Sequence, residues 1–336
     1  MHATANPVRA SAMTVTFALH DGRAGNARQA VALARALDAD AVDLTVTPRA
    51  PWRWLAPRQL PLSTHAFGDA YAELTRVPPD LAIGCGRQAA LATRLVRACG
   101  SKVVQILDPR IDPRHWDVVV APEHDGLRGD NVISMLGSLH PIDDLWLAQA
   151  RREFPALAAL PSPHTVLLVG GPSRHAALTD DGFRSLLQML TTRTQADGGS
   201  FSVVASRRTP TSWRDAMGCI PSDLQGLRWR GDHDGANPYA GLLGHADRIV
   251  CTPDSVNMLS EAAATRGPVF AWQPGAVTGR PRKFIDTLLE RSRIRTLDVL
   301  ERDNAMDAFD VEPLRETARI AAAIRRQLDL REMGSE

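Results

Sequence analysis

Short runs of aliphatic, largely β-branched residues alternate along this chain with amphipathic helical stretches, and the alternation runs through twice. Such a pattern reads as βα units, which demand parallel strands buried on both faces. The first series comprises TVTFAL (14–19), a helix over 27–37, AVDLTV (41–46), LAIG (81–84), a helix over 87–98, VVQIL (103–107), VVVA (118–121) and VISML (132–136). In its first helix Ala27, Ala30, Val31, Ala34 and Leu37 share one face, the spacing that packs on a sheet. The second series runs VLLVG (166–170), a helix over 180–194, FSVVA (201–205), a helix near 211–217, LRWRG (227–231), a helix near 238–245, RIVC (248–251), a helix over 255–266, VFAW (269–272) and a helix over 280–291. A last amphipathic segment covers about 312–329.

Between the series, Gly137, Pro141, Pro155, Pro161 and Pro163 interrupt the pattern around a short helical piece, the composition of a connection. The expected fold is therefore α/β with two Rossmann-like, doubly wound parallel-sheet domains: 13–140, a linker 141–164, and 165–311. The helix at 312–330 is expected to cross back onto the first domain. A length of 336 residues suits two domains of roughly 150 residues each. Ligands of paired parallel-sheet domains are expected in the cleft between the carboxyl ends of the sheets.

Composition narrows the function classes. Lys and Arg number 39 against 38 Asp and Glu, a net charge of +1 that lacks the basic excess of a nucleic-acid binder. Cys85, Cys99, Cys219 and Cys251 form no C-x-x-C pair, which argues against structural zinc and for the thiols of a cytoplasmic protein. Residues 1–12 carry one basic residue, Arg9, and no apolar h-region, so they are not read as a signal peptide. Met13 directly precedes the first strand pattern, and the dozen residues before it are expected to be disordered or absent from the native product. No apolar run reaches the length of a membrane span.

Five loops at strand ends carry polar groups suited to chemistry. HDGRAGN (20–26) offers His20 and Asp21 as general bases, with Gly22, Gly25 and Asn26 letting a ligand approach a helix N-terminus; the alternative is a capping turn. GCGRQAA (84–90), with Gly86 and Arg87, has a G-x-G-x-x-A spacing with Asp108 some twenty residues on, which mimics a dinucleotide fingerprint and raises an NAD-binding rival. PEHDG (122–126) places Glu123, His124 and Asp125 together as acid/base groups, metal ligands or a solvated loop. VGGPSRHAALT (169–179) sets Gly170, Gly171, Ser173 and Arg174 as a diphosphate cradle, and ASRRTP (205–210) adds Ser206, Arg207 and Arg208 as a second cationic lip. The fifth segment runs from Ala246 to Trp272. Thr252, Pro253, Asp254 and Ser255 turn into a helix bearing Asn257, Met258 and Glu261, and Gly267-Pro268 leads to the next strand. Arg280 and Lys283 open the following helix against its dipole, which favours a ligand role. Asp232-His233-Asp234 is read as a solvated turn rather than a metal pair.

The fifth segment resembles the donor-binding signature of glycosyltransferase-B enzymes, the lipid II N-acetylglucosaminyltransferases in particular. Ser260-Glu261-Ala262-Ala263-Ala264 and Gly267-Pro268 carry that likeness, which implies that Glu261 accepts from ribose hydroxyls. More closely, the chain resembles the mitochondrial-fission ELM family and its bacterial relatives. The carrying segments are DGRAGNARQA (21–30), GCGRQ (84–88), LDPR (107–110), APEHD (121–125), GGPSRH (170–175), SRRTP (206–210), TPDSVNMLSEA (252–262) and GRPRKF (279–284).

These resemblances imply a metal-independent glycosyltransferase that takes a nucleoside-diphosphate sugar as donor and holds no tightly bound cofactor. Asp21 or His20 would be the base. Gly22, Gly25, Asn26, Gly86, Arg87, Asp108, Glu123 and His124 would lie on the acceptor side. The alternatives are a nucleoside-diphosphate-sugar epimerase and a non-catalytic membrane-associated adaptor. PRAPWRWLAPRQLP (48–61) motivates the last, and it equally suits a lipid-linked envelope acceptor met at the inner face of the membrane. Otherwise it is an irregular loop covering a domain edge.

Overall fold

The computed structural model describes residues 15–297 and 306–330. The expectation for residues 1–12 lies outside them. The chain divides into two compact units: unit 1 holds the residues through Pro122, Gly126–Met135 and those from Thr317 on, and unit 2 holds Glu123–Asp125 and Leu136–Glu316.

Unit 1 contains β1 (Thr16–His20), α1 (Ala24–Leu37), β2 (Val42–Thr45), α2 (Trp52–Leu55), α3 (Asp69–Arg76), β3 (Leu81–Cys85), α4 (Arg87–Ala98), β4 (Lys102–Ile106), β5 (Val118–Pro122) and β6 (Val132–Met135). Its six strands are all parallel, in the order β2-β1-β3-β4-β5-β6. β3 and β5 are buried along their whole length, which is why they read as unbroken apolar runs rather than alternating ones. The small residues Ala89, Ala90 and Ala92 let α4 lie close on the sheet, and Trp116 fills the space beyond, donating its Nε1–H to Thr93 Oγ1 at 2.8 Å.

Unit 2 contains α5 (Asp144–Glu153), β7 (His164–Val169), α6 (Asp180–Asp197), β8 (Ser200–Ala205), α7 (Thr211–Met217), β9 (Arg228–Trp229), α8 (Tyr239–His245), β10 (Arg248–Cys251), α9 (Val256–Ala263), β11 (Val269–Trp272), α10 (Gly279–Glu290) and β12 (Arg295–Leu297). Its strands are parallel in the order β12-β11-β10-β7-β8-β9. The stretch read as a connection, 141–164, forms α5, capped where the Asp143 carboxylate accepts from Trp146 N–H, and packs on α8. α6 runs to Asp197, beyond the expected 194, because the left-handed conformation that ends it falls on Gly198 at φ 65°. The core centres on a stacked Phe183–Trp213 pair, centroids 4.1 Å apart, with Trp272 edge-on to both.

The last helix, α11 (Glu316–Leu328), packs in unit 1 apart from its first residue. Ile320, Ala321, Ile324 and Leu328 are buried, and Arg325 donates to the carbonyls of Ala36 and Leu37 at the end of α1. Arg319 reaches Ser134 O, and Lys102 reaches Leu328 O. No helix among the described residues is long and apolar enough to cross a membrane.

Both sheets reverse direction beside their first strand. In unit 1 the chain leaves β1 for β2 on one side and β3 on the other; in unit 2 β7 is flanked by β8 and β10. Loops diverge at such a switch point and leave a crevice at the carboxyl ends.

Phe183→Ala should lower unfolding free energy by about 3–5 kcal/mol in denaturant titrations, since it empties a stacked and fully buried site. His164, buried at the start of β7 against Ser202 Oγ at 2.8 Å, has its pKa lowered from 6.5 chiefly by burial. The neutral ring therefore favours the fold above the unfolded value, and that contribution is lost as pH falls through the folded one. Acidification below about 6.5 should depress the unfolding midpoint, and His164→Gln should flatten that dependence.

Candidate functional site

At the switch point of unit 2, loops after β7, β8 and β10 meet in one hydrogen-bond network. The Gly170 N–H donates to Thr252 Oγ1 at 2.7 Å, and the Thr252 hydroxyl donates to Asp254 Oδ1 at 2.8 Å. Arg208 Nη2 donates to Asp254 Oδ2 at 2.6 Å. The Asp254 side chain is 0% exposed, while Arg208 is half open to solvent. Burial pushes the Asp254 carboxyl above its ordinary value, although Arg208, the Thr252 hydroxyl and the Gly171 N–H all favour its charged form. Thr209 Oγ1 lies against the carbonyls of Val169 and Gly170 at 2.9 and 2.7 Å and accepts from Ser206 N–H.

The glycines here are steric necessities. A Cβ on Gly170 would sit 2.2 Å from Asp254 Oδ1, and one on Gly171 would sit 2.6 Å from Arg208 O. Gly171 thus leaves no side chain at the carboxyl end of the central strand β7, next to the exposed Arg207 and Arg208.

β10 then feeds α9. Ser255 caps it by accepting from Met258 N–H at 3.4 Å, leaving the first-turn amides of Val256 and Asn257 without helical acceptors. Glu261 lies farther along α9, 1% exposed, with Oε2 accepting from Tyr239 O–H at 2.5 Å. Ser260 is structural, since it accepts from Ser138 N–H and backs Gly137, whose Cβ would fall 2.3 Å from its hydroxyl.

The loop after β7 also pairs with the one after β11. Ala176 bridges Val277, and Thr278 N–H donates to His175 O at 2.8 Å. Ser173 and Arg174 are exposed on this pairing, and the Arg174 Nε–H donates to the His175 ring at 2.9 Å. α10 begins beside it, with Arg280 and Lys283 exposed in its first turns and no acidic residue within its own first turn. Arg280 Nε stands 3.0 Å from Asp125 Oδ1 as an ion pair, although the N–H is not aligned for a hydrogen bond.

PEHDG belongs to this side of the molecule. Glu123–Asp125 form a 3-10 turn packed in unit 2, with Glu123 3.4 Å from Arg291 and the His124 ring against Phe284. Glu123 and His124, expected on the acceptor side, thus rest on α10. Burial holds the His124 pKa below its ordinary value. Asp232-His233-Asp234 is a 3-10 turn whose Asp234 is drawn down to about 2 by hydrogen bonding to Arg230. Among the described residues no group of three or more His, Cys, Asp or Glu is placed to hold a metal.

The switch point of unit 1 holds the other two loops. The Gly22 N–H donates to His20 Nδ1 at 3.0 Å, so the ring proton lies on Nε2, which faces Asp43 Oδ1 at 2.6 Å. Both nitrogens of His20 are thereby spent. Asp21 accepts from Arg23 N–H and Asn26 Nδ2 with one oxygen, and its second oxygen faces Arg23 Nε at 3.6 Å. Gly25 O accepts from Gln29. The Asn26 amide occupies the place a Gly86 Cβ would take, 2.4 Å away, where Gly86 turns at φ 89°. Gly84 is pressed by Thr93 and Gln105, Asp108 pairs with Arg110 at 3.0 Å, and Arg87 donates to the carbonyls of Arg53 and Trp54. Packing thus accounts for the G-x-G spacing without a dinucleotide. Cys85 and Cys251 are buried at the carboxyl ends of β3 and β10.

Residues 24–328 match the family described as mitochondrial fission ELM1. The chain belongs to the ELM1 family. The mitochondrial fission protein ELM1 of Arabidopsis thaliana is 29% identical over 281 residues, covering 75% of this chain and 65% of that protein. The chain thus spans about two thirds of that relative's length. An uncharacterized protein of Rickettsia prowazekii (strain Madrid E) is 24% identical over 363 residues, covering 92% of this chain and 97% of that one.

Among solved structures, the UDP-GlcNAc 2-epimerase of Methanocaldococcus jannaschii aligns with a TM-score of 0.54 at 11% identity, covering 93% and 99% of the two chains. The UDP-N-acetylglucosamine 2-epimerase of Rickettsia bellii gives 0.51 at 13% identity, covering 94% and 96%. Os79 of O. sativa, in complex with UDP, gives 0.50 at 12%, covering 94% and 91%. At these identities the likeness carries the fold, which is of the glycosyltransferase-B type.

Most of the ELM1 segments found in the sequence fall at the two switch points or on α10, while LDPR (107–110) follows β4. Sequence reasoning did not find Tyr239, the partner of Glu261, or Thr209 as the tie between β7 and β8. Thr209 lay within SRRTP, but nothing marked Tyr239.

Gly170→Ala should lower the unfolding free energy by about 1–3 kcal/mol, because the buried Asp254 carboxylate leaves no room for a methyl group. Gly275→Ala, whose Cβ meets nothing within 4 Å, should leave the denaturation midpoint at the wild-type value.

Proposed function

We propose that unit 2 binds a nucleoside-diphosphate sugar and that the chain is a glycosyltransferase. The observation that carries this reading is the unit 2 switch point. A glycine without a side chain, a guanidinium fixed by a buried carboxylate and the first turn of α9 belong there to one hydrogen-bonded set of loops, which supports an anion site. The diphosphate lies against Gly171, Arg208 and the α9 amides. Arg174, Arg207, Arg280 and Lys283 add cationic charge around it. Glu261, oriented by Tyr239, takes the ribose hydroxyls. Leaving-group charge developing on the diphosphate is met by these fixed donors, which supply the positive charge that a metal would otherwise bring.

For the base we choose Asp21 over His20. Asp21 keeps acceptor capacity on its second oxygen, whereas the His20 ring has none left. A second reading, an epimerase acting on the same kind of donor, draws on His124, a buried imidazole held neutral beside Asp125, as an acid/base group. The two readings differ in product: the epimerase alters the sugar of the donor without any acceptor.

Calorimetry with UDP, GDP, ADP, TDP, CMP and NAD tests the donor site. One nucleoside diphosphate should bind, and Glu261→Ala and Arg208→Ala should each weaken it by about tenfold or more, as expected for a lost hydrogen bond to a charged group. Binding of NAD alone would overturn the reading and return attention to Gly84, Gly86 and Asp108.

A further inference from the structure

The segment after β2 has no part in the chemistry above, yet it is built with unusual care. Trp52 packs inward on the core that includes Ala56, Ala66 and Tyr71. Trp54, Leu55 and Leu62 point the other way, 65%, 43% and 70% exposed. Leu62 sits at φ 61°, a costly conformation for a bulky residue, between a Leu60 and a Ser63 tied together by the Ser63 hydroxyl. From below, α4 braces the backbone: Arg87 donates to the carbonyls of Arg53 and Trp54, and Arg94 donates to that of Pro57 at 2.6 Å. The exposed apolar side chains are therefore presented on a fixed platform.

The segment that carries them holds one sign of charge. Arg49, Arg53 and Arg58 are exposed and make no ion pair among the described residues, and no acidic residue stands between Asp43 and Asp69. We propose that this face of unit 1 docks on an anionic phospholipid surface. An indole rests at headgroup depth, leucines reach the acyl boundary, and guanidinium groups pair with lipid phosphates. A second copy of the same face is a poor occupant, because it would set arginine against arginine. The inference is independent of what unit 2 binds.

Flotation of the full chain with vesicles of phosphatidylcholine, with and without phosphatidylglycerol, tests it. The protein should float with the phosphatidylglycerol vesicles and be released at high salt. Arg53→Glu with Arg58→Glu should lower the partition at least about tenfold, given roughly 1 kcal/mol per cation at such a surface. Trp54→Ser with Leu55→Ser should lower it similarly at an unchanged unfolding midpoint, while Val77→Ser, at an exposed apolar position after α3, should bind as the wild type does. Folded wild type that ignores anionic vesicles, or variants that bind as well as it does, would overturn the proposal. So would a dimer that Trp54→Ser dissolves while vesicles are ignored, which would make a second copy the occupant.

Discussion

A carboxylate with no exposed surface is tolerated only when its charge is met, and Asp254 is met from three directions. The Arg208 guanidinium, the Thr252 hydroxyl and the Gly171 amide belong to loops that leave three different strands. Burying the charge therefore ties those loops to one another, and the tie fixes where the backbone edge of Gly171 lies. Removing Arg208 would leave the buried carboxylate without its counter-charge, a larger penalty than losing a surface ion pair. The arrangement also keeps Arg208 in place before any ligand arrives, so little side-chain entropy remains to be lost on binding.

Unit 1 repeats the plan with an amide against its glycine in place of a carboxylate. Its switch point is occupied by the Asn26 amide, which packs on Gly86 and donates to Asp21. The neighbouring His20 is turned so that Asp43 and Gly22 consume both ring nitrogens. In each unit a glycine admits a polar side chain that bridges two strand ends. The chemical contrast is that unit 2 gathers cations there and unit 1 a carboxylate.

Much of this was legible in the sequence because fully buried parallel strands cannot alternate. β3, β5, β7, β8, β10 and β11 stood out as apolar runs bounded by glycine or polar turns. α3 and β12 did not: α3 is only eight residues long, with Asp69, Glu73 and Arg76 spaced along it, and β12 is an edge strand of three residues, two of them exposed. Strand ends pointed to loops, and loops to candidate residues. What the sequence withheld were pairings across long separations, such as Tyr239 with Glu261 and Arg280 with Asp125. It also withheld the tautomer of His20, which rests on a backbone amide two residues on and a carboxylate twenty-three residues on.

The path of α11 bears on how the molecule is made. Ala36, Leu37, Lys102 and Ser134 belong to the part of unit 1 that is synthesised first, yet their partners are carried on the last helix. Folding that follows synthesis would complete the second unit while the first still exposes the apolar seat of Ile320, Ile324 and Leu328. Unit 1, although synthesised before unit 2, thus closes after it, and in that interval its uncovered seat is open to chaperones and to aggregation.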